Sequence, residues 1–380
     1  MFDVVIVGAG LAGAVLAERF ARGSNKKVLL IERRQHIGGN CYDEIDSNGI
    51  LIHRYGPHLF HTDDAEVWAY LSKFTDWRIY QHKVLAMIDG AAVPLPFNLN
   101  TLHKVFPKSL ADSIEFALLK NFSFGKKIPI MELKNSIEVE LQFLADFVYE
   151  KIFLHYTEKQ WNLTPDKIDG AVTARVPISI SRDDRYFTDR FQAVPKNGYT
   201  ALIQKMLSHP NIKLMLNTDF REIASLDGDK INLFGQKFSG RLIYTGLIDE
   251  LFDYKFGALA YRSVDMKFEM LDAEQFQAAA TVNYPNNYEF TRITEFKHIH
   301  PAKSARTTIL KEYPQDYTGK NEPYYPLFTD AAKSAHAKYL AELKKFPQIT
   351  AVGRLAEYRY FDMDDVVKRA LEVYNSCSAG

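Results

Sequence analysis

Cysteine and net charge are what this sequence has least of. Its two cysteines, Cys41 and Cys377, are too few and too far apart for a disulfide framework or a metal-binding spacing. Lys plus Arg and Asp plus Glu each number 47, so no overall field attracts nucleic acid or a membrane surface. We therefore expect no metal site, no nucleic-acid partner and a reducing, cytoplasmic environment. Any anion site has to be built locally.

Long apolar runs are also absent. No basic region precedes the first apolar run, and glycines interrupt that run after a few residues, which argues against a signal peptide. No other stretch approaches the ~18 uninterrupted apolar residues of a membrane span. The length, at roughly 150 residues per domain, and the hydrophobic fraction of 47% indicate a globular protein of two to three domains without membrane association.

What is present begins at the N-terminus, where a short apolar run leads into Gly8-Ala9-Gly10-Leu11-Ala12-Gly13. This order predicts a strand, a tight turn and a helix. Gly8 suits the sharp turn, Gly10 lets a pyrophosphate approach the backbone, and Gly13 lets the helix pack closely on the strand. The helix N-terminus then faces the phosphates, so the segment predicts a dinucleotide site. A glycine turn that serves packing alone is the alternative.

A carboxylate and a second glycine pair follow the turn. Glu32 lies 19 residues beyond Gly13 (32 minus 13), where its carboxylate can accept both hydroxyl protons of an adenosine ribose and repel a 2′-phosphate. The next residues, Arg33 to Asn40, contain Gly38-Gly39, which suits a cofactor that lies extended under the chain and stays bound. The segment therefore favours FAD over a nicotinamide cofactor, with Arg33, Gly39 and Asn40 as contacts.

Periodicity divides the rest of the chain into a helical part and a sheet-forming part. Between 101 and 167, apolar residues such as Leu141, Leu144 and Val148 recur every three or four positions, and Ser136 can cap this helix in front of Ile137. Segments 262–268, 288–296 and 307–313 show alternation and aromatic or β-branched residues, which predicts an antiparallel sheet.

We predict an α/β fold in which a Rossmann-like FAD-binding domain carries an inserted helical domain and an antiparallel β-sheet domain. The chain is expected to leave its first domain and to re-enter it. The expected boundaries are 1–84, 196–246 and 346–380 for the FAD-binding domain, 97–172 for the helical domain, and 85–96, 173–195 and 247–345 for the sheet domain.

Several segments together resemble the bacterial UDP-galactopyranose mutases, flavoenzymes that interconvert the six- and five-membered ring forms of UDP-galactose. The resemblance extends over nearly the whole chain, and the segments occur in the same order. Besides the two glycine motifs, the matching segments are 55–62, 156–161, 183–187, 191–195, 291–295, 324–326 and 353–364.

The resemblance implies a six-stranded antiparallel sheet, a cleft between the domains, and a reaction without net redox change that still needs reduced FAD. In that reaction N5 of the flavin forms a covalent adduct with the anomeric carbon of the sugar while UDP departs. No Ser, Cys or Lys nucleophile is then required. The resemblance further implies NAD(P)H or another reductant for activation, a homodimer, and a galactofuranose product used for surface glycans.

Three residues are implied as catalytic. Arg175 and Arg292 would stabilise the charge that grows on the departing UDP, because a planar guanidinium can bind a diphosphate in a bidentate manner. Arg175 would lie on a loop that closes over substrate, with Gly170 as a hinge. His58 would lie near flavin N5.

Further contacts are implied on both sides of the cleft. Tyrosine hydroxyls can donate to phosphate without adding charge, and aromatic rings can stack on a base. The implied substrate contacts are Tyr156, Trp161 and Phe153 on the uridine side, and Tyr186, Asn283, Tyr325 and Tyr360 around the phosphates and sugar. The implied cofactor contacts beyond the glycine motifs are His61, Arg354, Asp362 and Met363.

Three positions depart from the family pattern. Ile152 precedes Phe153 where a second Phe is common, Asn162 follows Trp161 where glycine is common, and Ala193 occupies a common glycine position. They leave open a preference for a modified sugar such as UDP-N-acetylgalactosamine. The nucleotide-binding half of the chain would also suit an amine-oxidase-like flavin oxidoreductase, or a non-catalytic binding protein resembling a GDP-dissociation inhibitor.

Overall fold

A computed structural model describes residues 2–162, 177–228 and 230–378. Its central element is a parallel sheet of five strands, of which the three inner ones are buried. In spatial order these strands are Ile212–Met215, Val28–Ile31, Val4–Val7, Arg241–Tyr244 and Ile349–Ala351. The predicted Rossmann-like domain is confirmed, and strands from three distant parts of the sequence build its sheet.

Successive residues of a parallel strand pack into two different apolar cores, one on each face of the sheet. Val4 and Ile6 pack on one face with the helices Leu11–Glu18, Gly198–Leu207 and Met363–Ser378. The residue between them, Val5, packs on the other face with the helix Asp330–Leu343 and its fully buried Tyr339. Successive side chains of a strand point to opposite faces, so both faces of this sheet have to be apolar.

A second sheet of seven strands stands beside the parallel sheet. Its order is Tyr325–Pro326, Tyr261–Leu271, Thr307–Asp316, Arg292–Glu295, Thr281–Asn283, Val84–Ile88 and Ala91–Leu95. The expectation of six antiparallel strands is wrong in two respects, because there are seven strands and the pair Thr281–Asn283 with Val84–Ile88 is parallel. The hairpin that turns at Asp89-Gly90 (φ +47° and +86°) falls in segment 85–96, which is expected in the sheet domain, and it forms one edge of this sheet.

Helices form a third part, whose apolar core includes residues of the strands Val84–Ile88 and Ala91–Leu95. The helices are Leu99–Val105, Lys108–Asn121, Ile130–Lys134, Val139–Val148 and His155–Trp161, joined by a π-helical turn at Tyr149–Leu154. The predicted cap at Ser136 is wrong, because the helix begins at Val139. Ser136 Oγ instead accepts the Glu138 N–H at 3.2 Å in the preceding turn, and Ile137 is 96% exposed. The boundaries of the three domains stay predictions.

The remaining elements are short. The strands are Asp43–Ile45, Leu51–His53, Phe60–Thr62, Trp77–Ile79, Lys127–Ile128, Ile178–Ser179, Phe191–Pro195, Ala224–Asp227, Lys230–Leu233 and Gln236–Phe238, and the helices are Ala65–Leu71, Phe220–Ile223 and Ile248–Leu251. Among the described residues, no helix has both the length and the apolar character needed to cross a bilayer.

Candidate active site

A cavity of about 890 Å³ opens at the carboxyl ends of the parallel strands and extends under the second sheet. Crevices at this end of a doubly wound sheet are where such folds bind their ligands. The predicted site residues that line the cavity are Gly8, Gly10, Leu11, Glu32, Arg33, Gly39, Asn40, His58, His61, Tyr156, Tyr186, Asn283, Arg292, Tyr325, Arg354, Tyr360, Asp362 and Met363. Residues from five separate parts of the sequence thus surround one cavity.

The turn at the start of the chain has the form its glycines predicted. Gly8 has φ +102°, which disfavours any residue with a Cβ. A Cβ on Gly13 would lie 2.0 Å from the carbonyl oxygen of Gly8, so this glycine is needed for packing under the cavity rather than in it. A Cβ on Gly10 would meet only Gly39 Cα at 3.7 Å, which leaves the space open that a pyrophosphate would fill.

Glu32 is held in place by the backbone of its surroundings. It is 7% exposed, and its two carboxylate oxygens accept the N–H groups of Ala9 at 2.8 Å and Arg34 at 2.9 Å. Each oxygen keeps a second lone pair, so the carboxylate can still accept protons from two ribose hydroxyls. The glycine turn and this carboxylate therefore fit the adenosine diphosphate part of FAD.

Acidic residues that sequence reasoning missed surround the two arginines after Glu32. Arg34 Nη2 pairs with Glu322 at 2.5 Å, and its guanidinium lies 4.2 Å from the Tyr55 ring centroid. Arg33 lies 3.6 Å from Glu322 and 3.7 Å from Glu250. Glu322 follows the long antiparallel strand, so its position depends on tertiary structure that local motifs do not contain.

Arg292 lies on the second sheet and lines the cavity. The buried carboxylate of Glu312 forms an ion pair with it. Arg292 Nε donates to Glu312 Oε1 at 2.6 Å, and Glu312 is 3% exposed. Burial alone would lower the pKa of Arg292, but the charge of Glu312 holds that pKa well above its usual value. Among the described residues, no hydrogen bond engages the terminal nitrogens of Arg292. They are thus available to an anion.

Aromatic side chains line the cavity near Arg292. Tyr325 stacks on Tyr360 with ring centroids 5.9 Å apart and contacts Trp161 at the same distance. Trp161 itself is not a lining residue, so it takes part in the site through Tyr325. Burial raises the pKa of Tyr325 to about 12 and also raises the pKa of Tyr156, which keeps both hydroxyls protonated as donors.

The helix His155–Trp161, hereafter the cavity helix, is held at its C-terminal end. Arg262, which is 3% exposed, donates to the carbonyl oxygens of Gln160 at 3.0 Å and Lys159 at 3.3 Å, and it pairs with Asp316. Asn162 ends the helix with φ +52°, a conformation that glycine adopts most easily and asparagine tolerates. This explains the departure from the family pattern at Asn162.

Three histidines lie near the Tyr186 side of the cavity. His58 Nδ1 donates to the Gly56 carbonyl oxygen at 2.8 Å, and burial lowers the pKa of His58 to about 4. His61 stacks on Phe187 with centroids 3.7 Å apart. His82 was missed by sequence reasoning; burial, reinforced by the charge of Arg292, lowers its pKa to about 3.

Phe153, like Trp161 and Gly13, is a predicted site residue that does not line the cavity. Phe153 is 5% exposed and packs in the helical core, with its ring centroid 5.6 Å from that of Tyr149. Ile152 lines the cavity instead, because it shares a helix face with Tyr156 four residues later. Arg175 and the hinge position Gly170 lie outside the described residues, so their assignment stays a prediction.

Comparisons with known proteins identify the relatives of this chain. A family model described as UDP-galactopyranose mutase matches residues 151–360, and one described as an NAD(P)-binding Rossmann-like domain matches residues 6–74. A dTDP-fucopyranose mutase of Escherichia coli is 35% identical over 98% of this chain and 97% of its own length. A UDP-galactopyranose mutase of Mycoplasma pneumoniae is 35% identical over 97% of this chain and 94% of its own length.

Solved structures are similar at the level of the fold. A reduced UDP-galactopyranose mutase has a TM-score of 0.75 at 16% identity, covering 100% of this chain and 94% of that one. A putrescine oxidase bound to putrescine has a TM-score of 0.58 at 11% identity, covering 100% of this chain and 99% of that one. The architecture is therefore shared between isomerases and oxidases, and it does not by itself choose between them.

Proposed function

This chain belongs to the UDP-galactopyranose mutase family, an isomerase family that uses a flavin, and we propose that it interconverts UDP-galactopyranose and UDP-galactofuranose. One observation supports the proposal beyond family membership: the dinucleotide turn and Arg292 line the same cavity. A cofactor on one side and a sugar diphosphate on the other would meet there. The furanose product would serve surface glycans.

FAD in its reduced form is the proposed cofactor. Gly10 leaves space for the pyrophosphate and Glu32 keeps lone pairs for the ribose, which supports FAD without a 2′-phosphate. When bound, the reduced flavin would supply N5 as the nucleophile for a covalent adduct at the anomeric carbon. NAD(P)H or another reductant would be needed for activation only. Leu11, Arg33, Asn40, Arg354, Asp362 and Met363 would contribute further contacts.

The chain's own contribution is to bind and stabilise the departing nucleotide diphosphate. Arg292 offers its terminal nitrogens, and its charge is maintained by Glu312. Tyr325 and Tyr360 offer hydroxyl donors that add no charge. Negative charge grows on the diphosphate as its bond to the sugar breaks, so these contacts strengthen in the transition state. Arg175 would close the site from its loop.

A second candidate substrate, a dTDP-sugar, differs from the first in its nucleotide base. The relative named dTDP-fucopyranose mutase is as similar to this chain as the relative named UDP-galactopyranose mutase, at 35% identity each. The cavity wall near Tyr156 is aliphatic, with Ile152, Ala86 and Leu95 among its residues, and offers apolar contact to the methyl group of thymine. A dTDP-sugar mutase is therefore the alternative within the same reaction type.

A homodimer is proposed from the surface of the helical part. Phe116, Ile137 and Val139 are 71%, 96% and 73% exposed. The ion pair Lys120–Glu138 at 2.8 Å links the helix that carries Phe116 to the residues between Ile137 and Val139, so these exposed apolar side chains lie on neighbouring segments. Such a region is typical of a protein interface. We also propose a cytoplasmic location.

The test combines a spectrum with a substrate panel. The purified protein should show flavin absorbance. It should convert UDP-galactofuranose only under dithionite, and one equivalent of NAD(P)H should not be consumed per turnover. The same assay with UDP-N-acetylgalactosamine and a dTDP-fucose furanose decides the substrate. A colourless protein, equal activity of the oxidised form, or stoichiometric reductant consumption would overturn the proposal.

A matched pair of arginine variants tests the diphosphate role. Arg292→Ala should lose about 3 kcal/mol of transition-state stabilisation in kcat/KM, the magnitude of a lost oxyanion donor, and still purify with normal flavin content. Arg306→Ala, which removes an exposed arginine paired with Asp272, is the control and should keep normal kinetics. Near-normal turnover by Arg292→Ala would remove Arg292 from the site.

A further inference from the structure

Three histidines connect the second sheet to the cavity. His53 has no exposed surface, and its Nδ1 accepts the backbone N–H of His58 at 2.9 Å. On its other side, Nε2 lies 3.2 Å from Nε2 of His300, which is 7% exposed and follows the turn Phe296–His298. His58 lines the cavity. The contacts therefore run from beside the second sheet to a residue at the candidate active site.

The partners of each ring determine which nitrogen carries its hydrogen. A backbone N–H only donates, so Nδ1 of His53 is unprotonated and its Nε2–H donates to His300. A carbonyl oxygen only accepts, so Nδ1 of His58 carries the hydrogen that points to Gly56. Nε2 of His58 is consequently an acceptor, and among the described residues it has no hydrogen-bond partner.

All three rings are neutral near pH 7, as this arrangement requires. Burial is the main cause: it lowers the pKa of His53 well below 6.5 and the pKa values of His58 and His300 to about 4. The charge of Arg78, whose guanidinium donates to the Ile299 carbonyl oxygen, also disfavours a charged His300.

We propose that His53 is a positioning residue for His58, and that His300 maintains the tautomer in which His53 can do this. His53 holds the turn Gly56-Pro57-His58 because its Nδ1 accepts a hydrogen bond from the backbone N–H of His58. His300 accepts the Nε2–H of His53 and so favours the form that keeps Nδ1 free. His58 then presents an acceptor nitrogen, Nε2, to an N–H or O–H donor on the bound flavin or sugar. This rests on the proposed function, which makes His58 a residue that faces the flavin.

If the His53 ring served only to fill space, its substitutions would have different effects. The His53 ring also contacts Phe296 at 5.6 Å and Tyr199 at 5.7 Å between centroids, so it fills space in an apolar region. A leucine would fill much of that space without accepting a hydrogen bond, whereas an asparagine places its Oδ1 close to the position of Nδ1. Comparing the two substitutions separates positioning from packing.

The experiment uses the flavin-loaded, full-length protein and five variants: His53→Leu, His53→Asn, His300→Leu, His300→Gln and, as control, His336→Leu. His336 is remote from the cavity, and its buried Nε2 lacks a hydrogen-bond partner in the described chain. Three quantities are measured: hydrogen exchange of the His58 amide, the midpoint potential of the bound flavin, and kcat and KM under reducing conditions.

We expect His53→Leu to speed exchange of the His58 amide by about tenfold, the effect of one lost hydrogen bond. It should also shift the flavin potential and lower kcat while KM for the nucleotide sugar stays within about twofold. His53→Asn should restore all three. His300→Leu should resemble His53→Leu, and His300→Gln, which keeps an acceptor, should resemble the wild type. His336→Leu should change none of them.

Equal behaviour of His53→Leu and His53→Asn would overturn the positioning role, as would an unchanged His58 amide in His53→Leu. Wild-type behaviour of His300→Leu would overturn the role of His300. The amide measurement does not depend on turnover. If the wild type proves to lack mutase activity while the exchange pattern follows expectation, the proposed function fails and the histidine contacts stand.

Discussion

Acidification should destabilise this protein through histidines that are buried in the neutral form. Burial lowers the pKa values of His58 and His300 to about 4, and burial with the charge of Arg292 lowers that of His82 to about 3. In the unfolded chain each imidazole regains its ordinary pKa of 6.5. Between these values the unfolded state binds more protons than the folded state, so stability falls as pH falls.

The size of the effect follows from the same pKa values. For an imidazole with a pKa of about 4 when folded and 6.5 when unfolded, lowering the pH from about 7 to about 5 costs about 2 kcal/mol. His82 contributes a similar amount. His53, whose pKa lies well below 6.5, acts in the same direction. The sum of about 6 kcal/mol is comparable with the total stability of many domains.

Other titrating groups oppose this change. Burial raises the pKa values of Asp43, Asp249 and Glu250, so their protonation on acidification favours the folded state. The hydrogen bond to Glu295 raises the pKa of His298, whose stabilising contribution is fully present below 6.5 and is lost at higher pH. The measured loss should therefore be smaller than the sum for the histidines alone.

Urea unfolding at pH 7, 6 and 5 measures the prediction, with His300→Gln to isolate one group. The wild type should lose stability steadily over this range. His300→Gln has no imidazole to protonate, so its loss between pH 7 and 5 should be smaller by about 2 kcal/mol. Identical pH dependence of the two proteins, or a wild type whose unfolding midpoint does not change, would refute this account of the buried histidines.

Four substitutions give further predictions. Gly10→Ala should fold with normal stability but lose flavin. Gly13→Ala should lose flavin and also about 2 kcal/mol of unfolding free energy, because its methyl group meets a backbone oxygen at 2.0 Å. Flavin content and urea unfolding measure the two effects. Glu312→Gln should lower the free energy of unfolding by about 2 kcal/mol, because the buried charge of Arg292 loses its counterion. Arg262→Gln should loosen the cavity helix and raise KM severalfold with a smaller change in kcat, measured by steady-state assay.

The parts of the site that the sequence predicted best are those built from neighbouring residues. Gly8, Gly10 and Gly13 have roles that depend on a single turn, and the geometry of that turn agrees with each role. Glu32 follows at a distance set by one helix and one strand. Local spacing is sufficient there because the backbone path between these residues has few alternatives.

The partners of the predicted residues could not be found in the same way. Glu312 acts on Arg292 because these residues are paired in register on neighbouring strands, and register depends on the whole sheet. His82 lines the cavity and Glu322 pairs with the cavity residue Arg34, and both come from segments whose local sequence carries no functional motif. A resemblance transfers the residues of a motif, but the residues that fix their charge and orientation lie elsewhere in the chain.

The prediction for Phe153 was wrong for a different reason, because the residues needed to correct it are its neighbours in the sequence. A match by residue type favoured the phenylalanine, whereas helix geometry favours Ile152, which is four residues before Tyr156 and shares its face. Phe153 is four residues after Tyr149 and packs on it instead. Position on the helix therefore outweighs aromatic character here. The departure at Ile152 therefore lies on the cavity wall itself, so we expect this wall, rather than the diphosphate site, to determine the choice between uracil and thymine.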